Sequence, residues 1–298
     1  SPDVIVGVAA SIELAFVKTE RPIIHLSDAT FGALLDYYPE FTGLWNWLKK
    51  EGHEIEQRII DSASAVICSS DWAKTSVVND YCAASDKVHT ILLGANLIMY
   101  PILSERDIEN KFGTKCRLLF IGKDWGRKGG DLAIEVYEKL IDFGVDADLT
   151  VIGSKIPPLP PHLRVSFYEH LDKDAGKDLE LFNSIFTRAT FFILPTNAEA
   201  YGLVYAEAAA FGTPVLGAKT GGVPSVVEDN VTGALLPNNA SADEYAERIY
   251  ELWSDKALLR RMSIAARTRF VASLNWNSWA SDFSNIIDDL EKANNQKR

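Results

Sequence analysis

Residues 117–131 read RLLFIGKDWGRKGGD. The apolar run from Arg117 to Ile121 is typical of a buried strand, and a glycine-rich turn separates it from helical spacing over Asp131 to Ile141. A strand, a tight turn and a helix form the repeating unit of parallel sheets that are covered by helices on both faces. This stretch therefore predicts the α/β class, and the same alternation can be followed outward from it.

The alternation extends in both directions and divides into two series. Apolar runs predict strands at Val4 to Ala10, Arg21 to Leu26, Ala65 to Cys68, Val88 to Leu93, Leu149 to Ile152, Arg164 to Phe167, Phe191 to Leu194, Pro214 to Gly217 and Gly233 to Leu236. Helical spacing predicts helices at Phe31 to Tyr38, Leu44 to Ile60, Asp178 to Thr187 and Leu203 to Phe211. The segment Gly94 to Arg106, with Pro101, reads as a linker. We therefore expect two Rossmann-like lobes, one at 1–103 including the linker and one at 104–298 including the terminal helices.

The composition excludes several classes of protein. The chain has 298 residues, of which 47% are hydrophobic and 24% are charged, so whole-chain disorder is excluded. Lys plus Arg number 30 and Asp plus Glu number 41, which gives a net charge of -11. This acidic balance argues against a general nucleic-acid binder, because such proteins need a basic face.

Cysteine spacing and hydropathy argue against further classes of protein. Cys68, Cys82 and Cys116 are widely separated and form no C-x-x-C pair, so neither a disulfide framework nor a zinc site is expected. Reduced thiols suit the cytoplasm. No apolar run approaches the roughly 18 residues of a membrane-spanning helix, so no transmembrane segment is predicted.

The glycine-rich turn is the first candidate site. Lys123, Arg127 and Lys128 place three positive charges against the single carboxylate of Asp124. Glycines let backbone N–H groups approach an anion, and the helix that follows adds partial positive charge at its N-terminus. The spacing is not that of a Walker A loop. A phosphate or diphosphate site and a solvated turn with surface cations remain equally open at this point.

A second candidate follows another predicted strand, where residues 194–215 read LPTNAEAYGLVYAEAAAFGTPV. Glu199 is expected at the start of a helix and Glu207 lies eight residues on, roughly 12 Å along a helix. Glu199 would accept hydrogen bonds from sugar hydroxyls and Glu207 from ribose hydroxyls, while N–H groups at residues 201–203 would hold phosphate oxygens. The alternative is one Glu favoured by the helix dipole and one surface Glu. The alanines around Glu207 indicate burial, which favours a ligand.

A third candidate, residues 220–227, reads TGGVPSVV. Two glycines before a helix with proline near its first turn can admit a ligand closely. Taken alone, plain turn chemistry is the stronger interpretation of this segment.

Together these three segments resemble retaining family-4 glycosyltransferases in order and spacing, and the resemblance covers nearly the whole chain. It implies the GT-B-type fold, an α/β architecture of two Rossmann-like parallel-sheet lobes. The first part of the N-terminal lobe, which in relatives holds a glycine-rich loop, is not found in this sequence, so that lobe is expected to be incomplete.

The resemblance implies a role for each matching position. Lys128 matches the lysine that neutralises the diphosphate leaving group, and Lys123 falls where relatives often carry Arg against the donor phosphates. Glu199 matches the Glu near the transferred sugar. Catalytic roles are therefore expected for Lys128, Glu199 and Lys123, and donor contacts are expected at Arg127, Ala200, Tyr201, Gly202, Leu203 and Glu207.

One departure from the family concerns the first lobe. Asp28 falls where many members carry a His near the reacting sugar, so Asp28 is a candidate sugar contact in its place. His25 lies three residues away and is the residue that would compensate, although a lone His beside a strand is more often structural.

The activity implied by the resemblance is transfer of a sugar from a nucleotide diphosphate sugar with retention at the anomeric carbon. The acceptor is left open between saccharide, lipid and small molecule. No metal motif is visible, so neither a metal ion nor another cofactor is expected. The alternatives are a nucleotide-sugar epimerase or hydrolase of the same fold, and a catalytically inactive donor-binding scaffold. A cytoplasmic location is expected, with peripheral membrane association as the alternative.

Overall fold

The structure is a computed structural model that describes residues 3–100, 102–155, 157–160, 163–173 and 176–297. It divides into two compact units, one formed by Ser1–Leu93 together with Trp276–Arg298 and the other by Gly94–Asn275. Pro101, which we assigned to the linker, lies outside the described residues.

Strands and helices alternate along both units. The strands are β1 Ile5–Val8, β2 Ile23–Ser27, β3 Ala65–Cys68, β4 Val88–Thr90, β5 Cys116–Ile121, β6 Ala147–Ile152, β7 Val165–Tyr168, β8 Phe191–Leu194, β9 Val215–Ala218 and β10 Gly233–Leu236. The α-helices are α1 Ser11–Leu14, α2 Phe31–Leu34, α3 Asn46–Ser62, α4 Asp71–Asn79, α5 Glu105–Glu109, α6 Gly130–Asp142, α7 Gly176–Arg188, α8 Leu203–Ala210, α9 Val223–Val226, α10 Ala242–Ser254, α11 Lys256–Ser273 and α12 Trp276–Lys297. Short 3₁₀ helices occupy Pro39–Phe41, Ser85–Lys87 and Asn110–Phe112.

The first unit is built on a parallel sheet with the strand order β1-β2-β3-β4. Every residue of β3 is buried, as expected for a parallel strand covered on both faces. Ser70 caps α4 by accepting a hydrogen bond from the Ala73 backbone N–H, so α4 begins shortly after the end of β3.

The last helix packs on this first sheet. Apolar side chains of α12 at the spacing of one helix face contact Ile24, Leu26 and Ile67; they are Trp279, Phe283, Ile286, Ile287 and Leu290. The sequence placed all terminal helices in the second lobe, and for α12 that assignment differs from the structure.

The second unit also begins earlier than predicted. The Ala95 N–H donates to the Leu274 carbonyl at 2.9 Å, and the Tyr100 ring packs edge-on against Phe270 with centroids 4.8 Å apart. The expected linker is therefore tied to the second unit, and its end forms the start of α5.

The second sheet has six parallel strands in the order β10-β9-β8-β5-β6-β7. The chain enters at β5, builds outward to β7, and then returns to β8 on the other side of β5. The register pairs Leu118 with Phe191 and Leu119 with Phe192. The strand order thus reverses between β5 and β8, and in open parallel sheets ligands bind beyond the carboxyl ends of strands at such a point.

The predicted α/β class and strand positions are confirmed, with three strands reproduced at both ends, β3, β8 and β10. The helix predicted from Phe31 to Tyr38 is shorter and ends at Leu34. Asp36 adopts a left-handed conformation with φ of 55°, and the residue before Pro39 is disfavoured in a helix. Both features stop the helix early.

Candidate functional site

Three loops meet at the carboxyl edge of the second sheet. We call them the lysine loop (122–130, after β5), the glutamate loop (195–202, after β8) and the diglycine loop (219–222, after β9). The Asn197 N–H and the Thr196 hydroxyl both donate to the Arg127 carbonyl, at 2.8 and 3.1 Å. The Gly222 N–H donates to the Glu199 carbonyl at 3.0 Å. Backbone hydrogen bonds therefore fix the glutamate loop between the other two.

Two glycines are required for this arrangement. Gly129 has φ of +75°, and a Cβ there would lie 2.1 Å from the Pro195 carbonyl oxygen. Gly202 has φ of +84°, and a Cβ there would lie 2.5 Å from the Tyr205 ring. The absence of a side chain at Gly129 lets the lysine and glutamate loops approach closely, and the absence of one at Gly202 leaves room for the Tyr205 ring of α8.

The charged side chains of these loops form one cluster. The Lys128 ammonium donates to Oε2 of Glu199, and Nη1 of Arg127 lies 4.0 Å from the same oxygen. Arg127 also donates from Nη1 to the Ala198 carbonyl at 2.8 Å, and its Nε lies 3.4 Å from Oδ2 of Asp124. The Lys128 and Glu199 side chains are only 13% and 11% exposed. Partial burial strengthens the interaction of these charges with each other and with any anion that reaches them.

Beside this cluster lies a cavity of about 340 Å³ at the carboxyl ends of β5 and β6. Its charged and polar lining residues are Lys123, His170, Asp172, Lys173 and Glu207. Glu207 is 4% exposed, and Nζ of Lys173 donates to its Oε1 at 2.5 Å. Burial raises the pKa of Glu207, and the Lys173 charge and hydrogen bond act in the opposite direction.

The predicted site residues of the second unit thus lie close together at the carboxyl edge of the sheet. Two details of their predicted geometry are corrected by the structure. α8 begins at Leu203, after Gly202 leaves the helical conformation, so Glu199 lies in the loop and the expected 12 Å helical spacing to Glu207 does not apply. The carboxylate of Glu207 is buried as expected, but Lys173 pairs with it, so its burial does not by itself require a ligand.

The remaining predicted donor contacts lie in the glutamate loop and at the start of α8. Ala200 and Tyr201 are both buried in the glutamate loop. Gly202 precedes α8 with no side-chain hydrogen bond capping that helix. A phosphate contact from the first N–H groups of α8 stays a prediction.

Sequence reasoning missed Lys173. It follows β7 in the polar stretch 169–173, EHLDK, and lies 34 residues from its partner Glu207. The rule that ligand-binding loops follow parallel strands would have marked this stretch, because it was predicted to follow a strand.

Asp28 and His25 belong to the first unit. Asp28 is exposed and borders a cavity of about 240 Å³ with Ala9, Ser27 and Ser69. His25 is 0% exposed inside β2, where burial lowers its pKa to about 4. A fully buried ring cannot reach a substrate, so the structure favours the structural interpretation of His25 over the alternative in which it compensates for Asp28.

Cys68, Cys82 and Cys116 are free thiols. Within residues 3–297, leaving aside the gaps already given, no three His, Cys, Asp or Glu side chains are placed to hold a metal ion. Among the helices that the structure describes, none has both the length and the apolar character needed to cross a bilayer.

Comparisons with known proteins bear on the family and the fold. The sequence profile of the family described as "Glycosyl transferases group 1" matches residues 102–269. The D-inositol 3-phosphate glycosyltransferase of Corynebacterium kroppenstedtii is 26% identical over 251 residues, which are 78% of this chain and 55% of that protein. The protein of the same name from Thermobifida fusca is 25% identical over 240 residues, or 75% of this chain and 54% of that protein. The chain thus spans about half the length of these curated relatives.

Solved structures show the same fold over nearly the whole chain. Sucrose-phosphate synthase from Thermosynechococcus elongatus superposes with a TM-score of 0.73 at 21% identity, covering 98% of this chain and 74% of that one. HepE from Anabaena, in complex with UDP-glucose, superposes with a TM-score of 0.70 at 16% identity, covering 96% and 79%. These likenesses confirm the predicted GT-B-type fold class.

Proposed function

The chain belongs to the glycosyl transferases group 1 family, and we propose that it transfers a sugar from a nucleotide diphosphate sugar to an acceptor, with retention at the anomeric carbon. The observation that carries this proposal is the contact between Lys128 and Glu199 at the carboxyl ends of the neighbouring strands β5 and β8.

The contact between Lys128 and Glu199 would place one side chain on each side of the bond that breaks. In a nucleotide sugar, that bond joins the anomeric carbon to the distal phosphate. We assign Glu199 to the sugar hydroxyls and Lys128 to the phosphate. Because the two side chains touch, groups bound to them would be adjacent, as the two sides of a single scissile bond must be.

Stabilisation of the leaving group is the main catalytic task. Cleavage leaves negative charge on the diphosphate, and donors fixed in advance where that charge develops lower the barrier. Lys128 and Arg127 are held by Glu199 and the Ala198 carbonyl, so little reorganisation is needed. Lys123 borders the adjoining cavity and would add a third cation.

The cavity beside the cluster is assigned to the nucleoside. An ionised carboxylate accepts two hydrogen bonds, as the two ribose hydroxyls require. Burial raises the pKa of Glu207 and so disfavours that form, whereas Lys173 favours it. We therefore assign Glu207 to the ribose and Lys173 to keeping Glu207 ionised.

Glu199 is proposed to position the sugar and not to attack it. Its carboxylate already accepts a hydrogen bond from Lys128, which lowers its nucleophilicity. Retention would then follow from attack by the acceptor on the face that the diphosphate leaves, a route that needs no enzyme nucleophile.

The comparisons suggest the first compounds to try. HepE was solved with UDP-glucose, so UDP-glucose heads the donor panel. The curated relatives are named for D-inositol 3-phosphate, which heads an acceptor panel that also contains saccharides and lipid acceptors.

The test is to incubate the full-length protein with each nucleotide sugar and follow nucleotide release with and without acceptors. Release that depends on an acceptor, with an α-linked product from an α-linked donor by NMR, is expected. Release without an acceptor would identify a hydrolase, and an altered sugar without release an epimerase. Nucleotide binding without turnover would identify a scaffold, and any of these three results would overturn the proposal.

A further inference from the structure

A second polar cavity, of about 390 Å³, lies on one face of the second sheet, bordered by β5, β6, β7 and α7. Three arginines line it, Arg117 on β5, Arg164 just before β7 and Arg188 at the end of α7. We call this cavity the arginine pocket. No residue assigned to the donor is among its lining residues.

The polar lining of the arginine pocket is not what the fold requires. Strands of a covered parallel sheet read as continuous apolar runs, and β8 does so from Phe191 to Leu194. In β6, by contrast, Asp148 and Thr150 are half-buried and alternate with the buried Leu149 and Val151. The polar residues of this face therefore need another explanation than packing.

The strand register gathers these polar residues on one face. Arg117 is paired with Asp148, and Thr150 is paired with Ser166. Residues paired in this way in neighbouring parallel strands point to the same side of the sheet. Tyr168, two residues beyond Ser166, shares that face.

The charges in the arginine pocket are unbalanced. Within the described part of the chain, the guanidinium of Arg117 forms no hydrogen bond or ion pair. Arg188 donates its Nε–H to the Ser184 carbonyl of its own helix, and Arg164 pairs with Asp146 at 2.6 Å. The lining carboxylate, Asp148, lies 3.5 Å from Nζ of Lys115. A local positive excess thus persists in a chain whose net charge is -11.

We propose that the arginine pocket binds the phosphate group of a small phosphorylated polyol. Guanidinium groups match phosphate in geometry and charge, and the hydroxyls of Thr150, Ser166 and Tyr168 suit a polyhydroxylated body. The volume falls within the range of small-molecule sites. Arg117 lies at the amino end of β5, about 16 Å along the strand from the lysine loop. The ligand of this pocket is therefore separate from the reacting donor, and its binding does not depend on the proposed function.

Isothermal titration calorimetry on the full chain tests the proposal with sorbitol 6-phosphate, inorganic phosphate and sorbitol as probes. Sorbitol 6-phosphate is expected to bind at least about tenfold more tightly than inorganic phosphate, and sorbitol not measurably, because both the charge and the hydroxyls contribute. Arg117→Gln and Arg188→Gln should each weaken sorbitol 6-phosphate binding about tenfold or more. Arg188 is exposed, so its replacement leaves the fold intact even if Arg117→Gln does not.

Two control variants fix the location. Arg106→Gln removes a positive charge from an exposed position on α5 outside the pocket and should bind sorbitol 6-phosphate like the unaltered chain. Lys128→Ala should also bind it normally. Loss of binding in Lys128→Ala with full binding in Arg117→Gln and Arg188→Gln would locate the phosphate at the lysine loop and overturn the proposal. Equal affinity for phosphate and sorbitol 6-phosphate, or no binding of either, would overturn it as well.

Discussion

Both units bury titratable side chains, and they do so in different places. In the first unit, His25 and Glu56 are 0% and 5% exposed, with Nε2 and Oε1 3.9 Å apart. In the second unit, Glu199 and Glu207 are 8% and 4% exposed, and each accepts a hydrogen bond from a lysine. Burial is therefore nearly the same in the two units.

The position in the sheet separates the two cases. His25 is the middle residue of β2, inside the core. Glu199 follows the end of β8, and Glu207 borders a cavity at the carboxyl edge of its sheet. Position is therefore the better guide to a ligand than burial, because ligands of open parallel sheets bind beyond the carboxyl ends of the strands. A titratable side chain in mid-strand, such as His25, bears on the stability of the fold.

The largest effect is expected at the junction of the lysine and glutamate loops. Lys128→Ala should lower kcat/KM by about 100- to 1,000-fold, since it removes a fixed cation from the departing diphosphate. Steady-state kinetics with the donor found in the nucleotide-sugar panel measure this change. Nucleotide affinity should fall as well, while the loss of stability should stay small, because Nη1 of Arg127 still lies 4.0 Å from Oε2 of Glu199.

The matched control is Lys139→Ala. Lys139 lies on α6, after the lysine loop, and pairs with Asp243 at 2.8 Å on the surface. Its removal should leave kcat/KM unchanged. If Lys128→Ala kept full activity, as Lys139→Ala is expected to, the contact between Lys128 and Glu199 would have no role in catalysis. The proposed functional difference between this site and the buried His25 would then be wrong.

The second effect concerns Lys173 and Glu207. Lys173→Ala should destabilise the fold by about 2 kcal/mol at pH 7, because it leaves a buried carboxylate without its cation. Burial raises the pKa of Glu207, so the folded state takes up a proton more readily than the unfolded state. The deficit should therefore shrink as the pH falls toward 5. Urea denaturation at several pH values measures it.

The double variant separates charge from packing. Adding Glu207→Gln to Lys173→Ala should restore most of the lost stability at pH 7, because a neutral amide costs less to bury. Equal instability of the single and double variants would show that Lys173 acts through its methylene chain and not through its charge.

The third effect is specific to the first unit. Burial lowers the pKa of His25 from 6.5 to about 4, so the unfolded chain is protonated first as the pH falls. The stability that neutral His25 contributes is present above pH 6.5 and is lost between pH 6.5 and 4. At pH 5 the loss amounts to about 2 kcal/mol.

His25→Gln provides the comparison, because glutamine does not titrate. The difference in unfolding free energy between the two proteins should change by about 2 kcal/mol from pH 7 to pH 5. The raised pKa of Glu56 makes the unfolding free energy rise as the pH falls, which is opposite to the effect of His25. Because both proteins contain Glu56, this contribution largely cancels in the difference between them. Parallel pH curves would place His25 in contact with water.

The sequence predicted the fold far better than the details of the site. β8 was placed at both ends because a continuous apolar run stops at Pro195, whose ring removes the N–H that a further ladder bond would need. The loops after β5 and β8 were marked because they follow strands. The pairing of Lys173 with Glu207 was not predictable, since it depends on strand order, which no local pattern encodes. The helix predicted from Leu203 does begin there, but Glu199 was wrongly placed at its start, because the left-handed Gly202 separates Glu199 from the helix.

The smallest effect tests whether hydroxyls buried at the end of β3 serve only the fold. The Ser70 hydroxyl accepts a hydrogen bond from the Ala73 N–H at 3.2 Å and caps α4, so Ser70→Ala should cost about 1 kcal/mol. Its neighbour Ser69 is equally buried, and its hydroxyl has no hydrogen-bond partner among the described residues. Ser69→Ala should therefore be neutral or slightly stabilising, because it removes a polar group that gains nothing from burial. Denaturation of the two variants side by side measures the difference. A larger loss of unfolding free energy in Ser69→Ala than in Ser70→Ala would mean that the Ser69 hydroxyl has a hydrogen-bond partner in solution. The buried hydroxyls at the end of β3 would then not serve the fold alone.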